Sequence, residues 1–372
     1  MKKSLITSPV FVPRVVSGEQ YLDTATLLEV LYAPQNQPGL DGFWLKWFPR
    51  QVNSQSPRIL FDEIDENEYR LAPFVAPNVQ GRPMRSKGFS TKSFRPAYVK
   101  PKHVVDPTRA MPRRAGEAPL GTLSLQQRMD LIIADNIRRE RQMIENRWDW
   151  MACQALVSAS VVVAGEDYPS VTVDFGRDAS LTVVNSGATL WTASTATVMD
   201  DIQSARTQAF KLSRAPVNTL IFGLDAWAAF LQTNHADVQA LLNILIRGNE
   251  SLFNASNINS GQPYNYQGSM VGTGGIGRLD MWTYSNFYEG DDGVGVPYFD
   301  SGTVVGIGEI VDGAQCFGAI MDRGAQLQAL SMFPKMWDEE DPSVTYTMTQ
   351  SAPLMVPLRP NNTFSLKVAA SS

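Results

Sequence analysis

From Ser124 the chain repeats apolar residues at helical spacing for longer than anywhere else. Leu125, Met129, Ile132, Ile133, Ile137, Met143, Ile144, Trp148, Met151 and Ala155 recur to about Ser158. Ser124 followed by Gln127 has the form of a capping box. The spacing predicts one helix over 124–158, which at 1.5 Å per residue spans roughly 52 Å, more than a compact domain usually needs. Its other face, with Arg138, Arg139, Arg141 and Arg147 among Asp135, Glu140 and Glu145, reads as a solvated or intersubunit surface. Past Ser158 the period switches to two. Val161 to Val163 and Val171 to Phe175 flank the turn Gly165-Glu166-Asp167, the pattern of a β-hairpin.

The remaining chain divides by the same criteria. Helices are predicted at 198–210, 226–231 and 238–246, and strands at 217–222, 281–284, 303–307, 317–321, 344–348 and 364–368. Helix and sheet do not alternate regularly and no repeat is present, so the fold class is α+β. Upstream, residues 1–20 carry no period and read as an arm that orders only against something else. Asp23 or Thr24 can cap a short helix with Leu27, Leu28 and Leu31 on one face, ended by Pro34. The aromatic cluster Phe43, Trp44, Trp47 and Phe48 requires burial.

Composition adds exclusions. With 44% hydrophobic and 19% charged residues the chain has ordinary globular composition, which rules out a disordered or collagen-like chain. The two cysteines, Cys153 and Cys316, make no disulfide framework and suggest a reducing setting. The opening MKKSLITSPVF, broken by Pro9 and Pro13, does not read as a signal peptide. No apolar run approaches the roughly 20 residues of a membrane span, so no membrane partner is expected.

Charge is unevenly distributed. The segment Arg82 to Arg147 holds 15 basic and 6 acidic residues, leaving 17 basic and 31 acidic elsewhere, a partition of +9 against −14 within a net charge of −5. The first part of this segment is broken by Pro83, Pro96, Pro101, Pro107, Pro112 and Pro119 and lacks apolar residues for its own core. Such a stretch lies across another surface or stays disordered. Nucleic-acid binding through 82–147 is the alternative reading. The acidic remainder fits self-association at least as well.

The chemistry of catalysis is sparse. The only histidines are His103 and His235, and no nucleophile elbow is present, so no catalytic triad is assigned. Isolated Cys153 and Cys316 offer no zinc spacing. Gly272-Thr273-Gly274-Gly275-Ile276-Gly277 matches a dinucleotide fingerprint by letter. The following Arg278 to Tyr284 alternates like a strand, however, where the fingerprint needs a helix. Acidic clusters at Asp62-Glu63, Asp65-Glu66, Asp291-Asp292 and Asp338 to Asp341 read as salt-bridge partners for the basic segment, with an α/β enzyme using them a remote third reading. No calcium-loop pattern or secretory context gives the sequons at Asn249, Asn254 and Asn361 a role. No cofactor or metal is expected.

Specific strings then matter. Arg85-Ser86-Lys87-Gly88 with Ser90-Thr91, Phe94 and Tyr98-Val99-Lys100-Pro101-Lys102-His103 resembles the extended-loop segment of the major capsid proteins of lambda-like tailed phages. Val173-Asp174-Phe175-Gly176-Arg177 is similar to a mid-chain string of that family. Pro334-Lys335-Met336-Trp337 with Asp341-Pro342, and Thr347-Met348-Thr349-Gln350-Ser351-Ala352-Pro353-Leu354-Met355, are similar to its C-terminal part.

The resemblance implies the tailed-phage capsid fold: an N-terminal arm (1–40), an extended β-hairpin loop region (41–115), a peripheral domain (116–190) with its spine helix at 124–158, and an axial domain (191–302). Strands returning to the peripheral domain (303–345) and C-terminal strands returning to the axial domain (346–372) complete it. It implies a structural subunit of hexamers and pentamers in an icosahedral head around double-stranded DNA. A portal, a scaffold or protease and a decoration protein would be its partners. Intersubunit contacts are expected from Arg85, Lys87, Lys92, Phe94, Arg95, Tyr98, Lys100, Lys102 and His103 against acidic surfaces that include Asp338, Glu339, Glu340 and Asp341.

Overall fold

The computed structural model describes residues 27–28, 30–31, 42–56, 58–64, 80, 89–94, 96–112, 123–165, 168–231, 263–271, 278–290, 292–341 and 343–370. His235, the predicted helix 238–246 and the glycine string 272–277 lie outside the described residues. The chain forms two compact units. One comprises Met1–Gln37, Tyr98–Glu145 and Ile320–Ala352, the other Pro38–Ala97, Asn146–Ala319 and Pro353–Ser372.

The long helix, α1, runs Leu125–Val157, and the division between units falls within it. Its start is the expected capping box: the Ser124 amide donates to Gln127 Oε1 at 2.9 Å and the Gln127 amide to Ser124 Oγ at 3.2 Å. Ile133, Ile137, Ile144, Trp148, Met151 and Ala155 are buried, whereas Leu125 and Met143 are exposed. The assignment of Glu140 to a solvated face is wrong: its residue is fully buried. Positions 133, 137, 140, 144, 148, 151 and 155 step by three and four, so Glu140 occupies the apolar stripe itself.

In the first unit, Phe333–Glu339, Val344–Gln350 and Lys102–Val105 form an antiparallel sheet in that order. Neighbouring residues on a strand face opposite ways. One face therefore presents His103, Thr347 and Thr349 to α1. Thr347 Oγ1 donates to Glu140 Oε1 and Thr349 Oγ1 to Glu140 Oε2, both at 2.7 Å, and His103 Nδ1 lies 3.1 Å from Oε1. Burial pushes the Glu140 carboxyl above its ordinary range, and these donors partly offset the rise.

In the second unit, six strands stand in the order Thr182–Val184, Thr363–Lys367, Thr303–Gly308, Val217–Phe222, Arg278–Tyr284 and Tyr264–Val271. Thr303–Gly308 is antiparallel to both of its neighbours and buried along its whole length. Gly306 is required there, because a Cβ would meet the Phe364 ring at 2.2 Å. Helix α2 (Val198–Ser213) buries Val198, Ile202, Ala205 and Ala209 in the same core as Leu220, Phe222 and Phe364. Full burial of a valine or isoleucine contributes about 1.5–3 kcal/mol, so packing rather than helix propensity holds α2. Helix α3 (Leu224–Phe230) adds Ala226, Ala229 and Phe230 to that core.

The expected block 303–345 is divided between the units, Thr303–Gly308 lying in the six-stranded sheet and Phe333–Glu339 in the three-stranded one. The strand expected at 317–321 is instead Gly313–Phe317, between Arg50–Asn53 and Pro353–Pro357. Its ladder ends where Phe317 faces Pro353, which has no amide hydrogen to continue it. Ile59–Ile64 and Phe89–Phe94 pair antiparallel within the region where the resemblance implies an extended hairpin loop, and Ser160–Gly165 pairs with Tyr168–Asp174 as the alternation there predicts.

Arg177 secures the C-terminal end of α1. Its guanidinium donates to the carbonyls of Leu156 at 3.0 Å and Val157 at 2.8 Å, and to the hydroxyls of Thr182 at 2.7 Å and Thr363 at 3.3 Å. Burial lowers its pKa to about 10, so it remains charged at neutral pH. Arg177→Ala leaves these carbonyls without a donor and is expected to lower unfolding stability by about 2–4 kcal/mol in urea titrations. Glu140→Ala, which strips both threonine hydroxyls of their acceptor, is expected to cost a similar amount of about 2–4 kcal/mol, whereas Thr347→Val costs less because Glu140 keeps its other donors.

Candidate functional site

The exposed side of the three-stranded sheet is built from residues that alternate with those facing Glu140. Lys102 and Val104 stand there with Tyr346, Met348, Lys335, Trp337 and Glu339. Trp337 and Tyr346 stack with centroids 5.4 Å apart at 26°. Lys102 Nζ lies 3.5 Å from the Tyr346 centroid and 5.0 Å from that of Trp337. An ammonium over two ring faces is held by their quadrupoles, each contact being worth about 0.5–1 kcal/mol at exposed sites. Lys335 Nζ pairs with Asp322 Oδ2 at 2.9 Å, and Gln350 Nε2 donates to the same oxygen at 3.1 Å. These donors hold the Asp322 carboxyl below its ordinary range despite its desolvation.

Towards the hairpin tip the sign reverses. Asp338, Glu339, Glu340 and Asp341 are all exposed. Asp338 Oδ1 accepts from Thr345 Oγ1 at 2.6 Å, and the Glu339 carboxylate raises the Tyr346 phenol above its ordinary value through a hydrogen bond. Between Lys335 and Glu339 the strand rises roughly 13 Å. The hairpin thus carries an acidic tip, while its one lysine, Lys335, is already paired with Asp322.

The segment leading into the edge strand is anchored at two points and braced by a contact within itself. Val99 bridges to Ser351, the Met321 amide donates to the Tyr98 hydroxyl at 3.1 Å, and Lys100 Nζ lies 4.9 Å from the Tyr98 ring centroid. Phe94 is half-buried at the end of its hairpin, opposite Ile59. Lys92 stands opposite Phe61 in that register, next to the pair Asp62 and Thr91. Arg85, Lys87 and Arg95 lie outside the described residues.

Among the described residues, four arginines of 82–147 are engaged within the chain. Arg128 Nη1 donates to the Met111 carbonyl at 3.2 Å, and Arg138 pairs with Asp135 at 3.3 Å. Arg141 pairs with Glu145 at 2.7 Å and donates to the Leu31 carbonyl. The Arg147 guanidinium lies 5.2 Å from the Trp150 ring centroid.

Residues read as candidates for other chemistry are placed differently. His103 Nδ1 lies at a buried carboxylate to which two threonine hydroxyls also donate, which makes it part of the helix-to-sheet packing. Cys153 and Cys316 are buried. Burial pushes the Cys316 thiol up to about 11 and holds the Cys153 thiol well above its ordinary range, so neither is poised as a nucleophile. The residues after the glycine string, Arg278–Tyr284, are a strand, so no helix N-terminus follows it to receive a pyrophosphate. Glu140 and Asp149 were missed as structural centres; the step of three and four linking 137, 140 and 144 was the available signal for the first.

The family model for phage major capsid protein E matches residues 23–368. The major capsid protein of Escherichia phage N15 is 29% identical over 348 residues, covering 92% of this chain and 99% of that protein. That of Escherichia phage lambda is 28% identical with the same coverage. A crystal structure of a protein assigned as the capsid protein of an E. coli CFT073 prophage aligns with a TM-score of 0.64 at 22% identity, over 94% of this chain and 99% of that one, and shares its fold. On a match that runs through both units, the chain belongs to the phage major capsid protein E family.

Proposed function

We propose that the chain is a structural subunit that assembles into hexamers and pentamers of an icosahedral head enclosing packaged double-stranded DNA. It acts without catalysis. Its place is the virion, with the host cytoplasm before assembly. Partners would be further copies of the chain, a portal, a scaffold or protease, and a decoration protein where the shell carries one. The relatives named above are major capsid proteins, which supports the structural role.

The observation that carries the subunit-to-subunit reading is the polarity of the hairpin Phe333–Glu339 and Val344–Gln350. Its four tip carboxylates stay exposed, and the exposed Lys100 and Lys102 belong to the segment and edge strand beside it. A second copy offers each group its complement, and a head-to-tail contact of this kind closes into rings when the rotation allows. Exposed charges are individually worth about 0–1 kcal/mol, so repetition over many copies supplies the strength. The nucleic-acid alternative is weakened by the arginines of 82–147 that carbonyls, carboxylates and a tryptophan of the same chain already hold.

Electron microscopy of purified protein, with scaffold and protease supplied, is expected to show capsomer rings or shells. A chain that stays monomeric at high concentration under those conditions contradicts the proposal. Lys100→Glu with Lys102→Glu is expected to block or misdirect assembly. The folded subunit loses only about 1.5–3 kcal/mol, from the ring contacts of Lys100 and Lys102. Adding Glu340→Lys and Asp341→Lys is expected to restore particles in part. Normal shells from the lysine double variant at both low and high salt would remove these residues from the intersubunit contact.

A further inference from the structure

Among the described residues two aromatic side chains stand exposed, Phe210 at 39% and Phe287 at 66%, and both belong to the unit built on the six-stranded sheet. Phe287 is held in place. It opens the hairpin Phe287–Glu289 with Gly295–Pro297, and the next residue, Tyr288, turns the other way to pack edge-on against Tyr298 at 6.0 Å and Trp150 at 6.4 Å. The Phe287 ring lies over Gly295, where a Cβ would meet it at 2.9 Å. Beside the ring opens a cleft of about 330 Å³, walled by Leu224, Tyr284, Phe287, Pro297 and Phe299 among others. An apolar cavity of about 150 Å³ accommodates a benzene ring, so an aromatic side chain has room there. Glu289 and Asp292 are exposed on the same hairpin and its turn, and neither pairs with a cation among the described residues.

Phe210 has the opposite setting. It lies in the last turn of α2, and Lys211 and Arg214, which follow it, are exposed. Cations at this position suit the carbonyl end of a helix. The strand Val217–Phe222 separates the two aromatic sites. α2 ends beside the start of that strand, where the Arg206 guanidinium donates to the Val217 carbonyl at 3.2 Å. The cleft lies past its end, at Gly223 and Leu224. Six residues of strand set these ends roughly 17 Å apart, so a copy does not place its own Phe210 in its own cleft.

We propose that Phe210 of one copy of the chain fills the cleft beside Phe287 of the next, with Lys211 and Arg214 set against Glu289 and Asp292. This rests on the shell-subunit reading and names a second contact for it. The occupant is a second copy because the chain itself carries the complement: an aromatic residue flanked by cations at one end of the sheet, and an apolar cleft flanked by carboxylates at the other. Two different surfaces at opposite ends of one unit make a head-to-tail contact, which generates a ring when the rotation closes. A fixed aromatic ring at the mouth of an apolar pocket, rimmed by charge, is the arrangement of an interface anchor. The charges set register and partner choice.

Crosslinking of assembled particles tests this. Lys211→Cys with Glu289→Cys puts two exposed thiols on one chain, while Cys153 and Cys316 stay buried. Particles of this variant, treated with a short bismaleimide and then denatured, are expected to run as a ladder from dimer to pentamer and hexamer, and particles of either single variant as monomer. Phe287→Ala is expected to raise the concentration for half-maximal assembly about tenfold and to leave thermal unfolding of the free subunit unchanged. Lys211→Glu with Arg214→Glu is expected to weaken assembly, and adding Glu289→Lys and Asp292→Lys to restore it. Particles that yield only monomers, or crosslinks confined to one chain, overturn this contact and leave the shell-subunit reading standing, as does normal assembly of Phe287→Ala. If the cysteine variant does not assemble, a charge exchange that restores nothing overturns the contact. An unaltered chain that never assembles, with scaffold and protease supplied, overturns the shell-subunit reading and this contact with it.

Discussion

A carboxylate taken out of water must be met by hydrogen-bond donors, and α1 carries two such groups, Glu140 and Asp149. The effective desolvation penalty of a buried ion is several kcal/mol, too large to be left to chance packing. Apolar contacts are non-directional and tolerate small slips. A buried carboxylate does not. Thr347 and Thr349 meet Glu140 only in the observed register, because a shift by one residue would turn both hydroxyls to the opposite face of the sheet. In the other unit, Asp149 is met by backbone amides, which places the turn Trp44–Trp47 by its main chain and leaves the aromatic rings to fill the space around it.

The same sheet shows how one short element serves two purposes. Its inward face satisfies Glu140 with hydroxyls and an imidazole, and its outward face gathers stacked aromatics and lysines. Alternation along each strand makes this separation automatic. Cation–π contact holds Lys102 against the sheet at little cost in solvation, so its charge remains presented at a fixed position.

Membership of the capsid family gives these features a common setting. Charge is segregated along the chain, and much of the arginine excess on and near α1 is absorbed by intrachain carbonyls and carboxylates. The four carboxylates at the hairpin tip stay exposed. A net charge of −5 for the whole chain conceals this arrangement, since surface complementarity depends on where charge stands and not on its sum.

Local order was written in the sequence. The extent of α1 and its capping box, the hairpin Ser160–Gly165 with Tyr168–Asp174, the helix Val198–Ser213 and the strand Val217–Phe222 all follow from periodicity and end chemistry, which act over a few residues. The family was legible too, from strings such as YVKPKH and QSAPLM. What tertiary structure alone decided is which element covers which face. Thr303–Gly308 is flanked by strands from residues 217–222 and 363–367, and no local pattern specifies those neighbours. The strand Gly313–Phe317 ends where Phe317 meets Pro353, a residue without an amide hydrogen on a distant chain segment. Glu140 is the clearest case: its spacing marks the buried stripe while its charge argues for solvent. The conflict is resolved only by hydroxyls 207 and 209 residues away in the chain. Periodicity reports where a helix is apolar, but a charge can be buried only once the fold has brought donors to it.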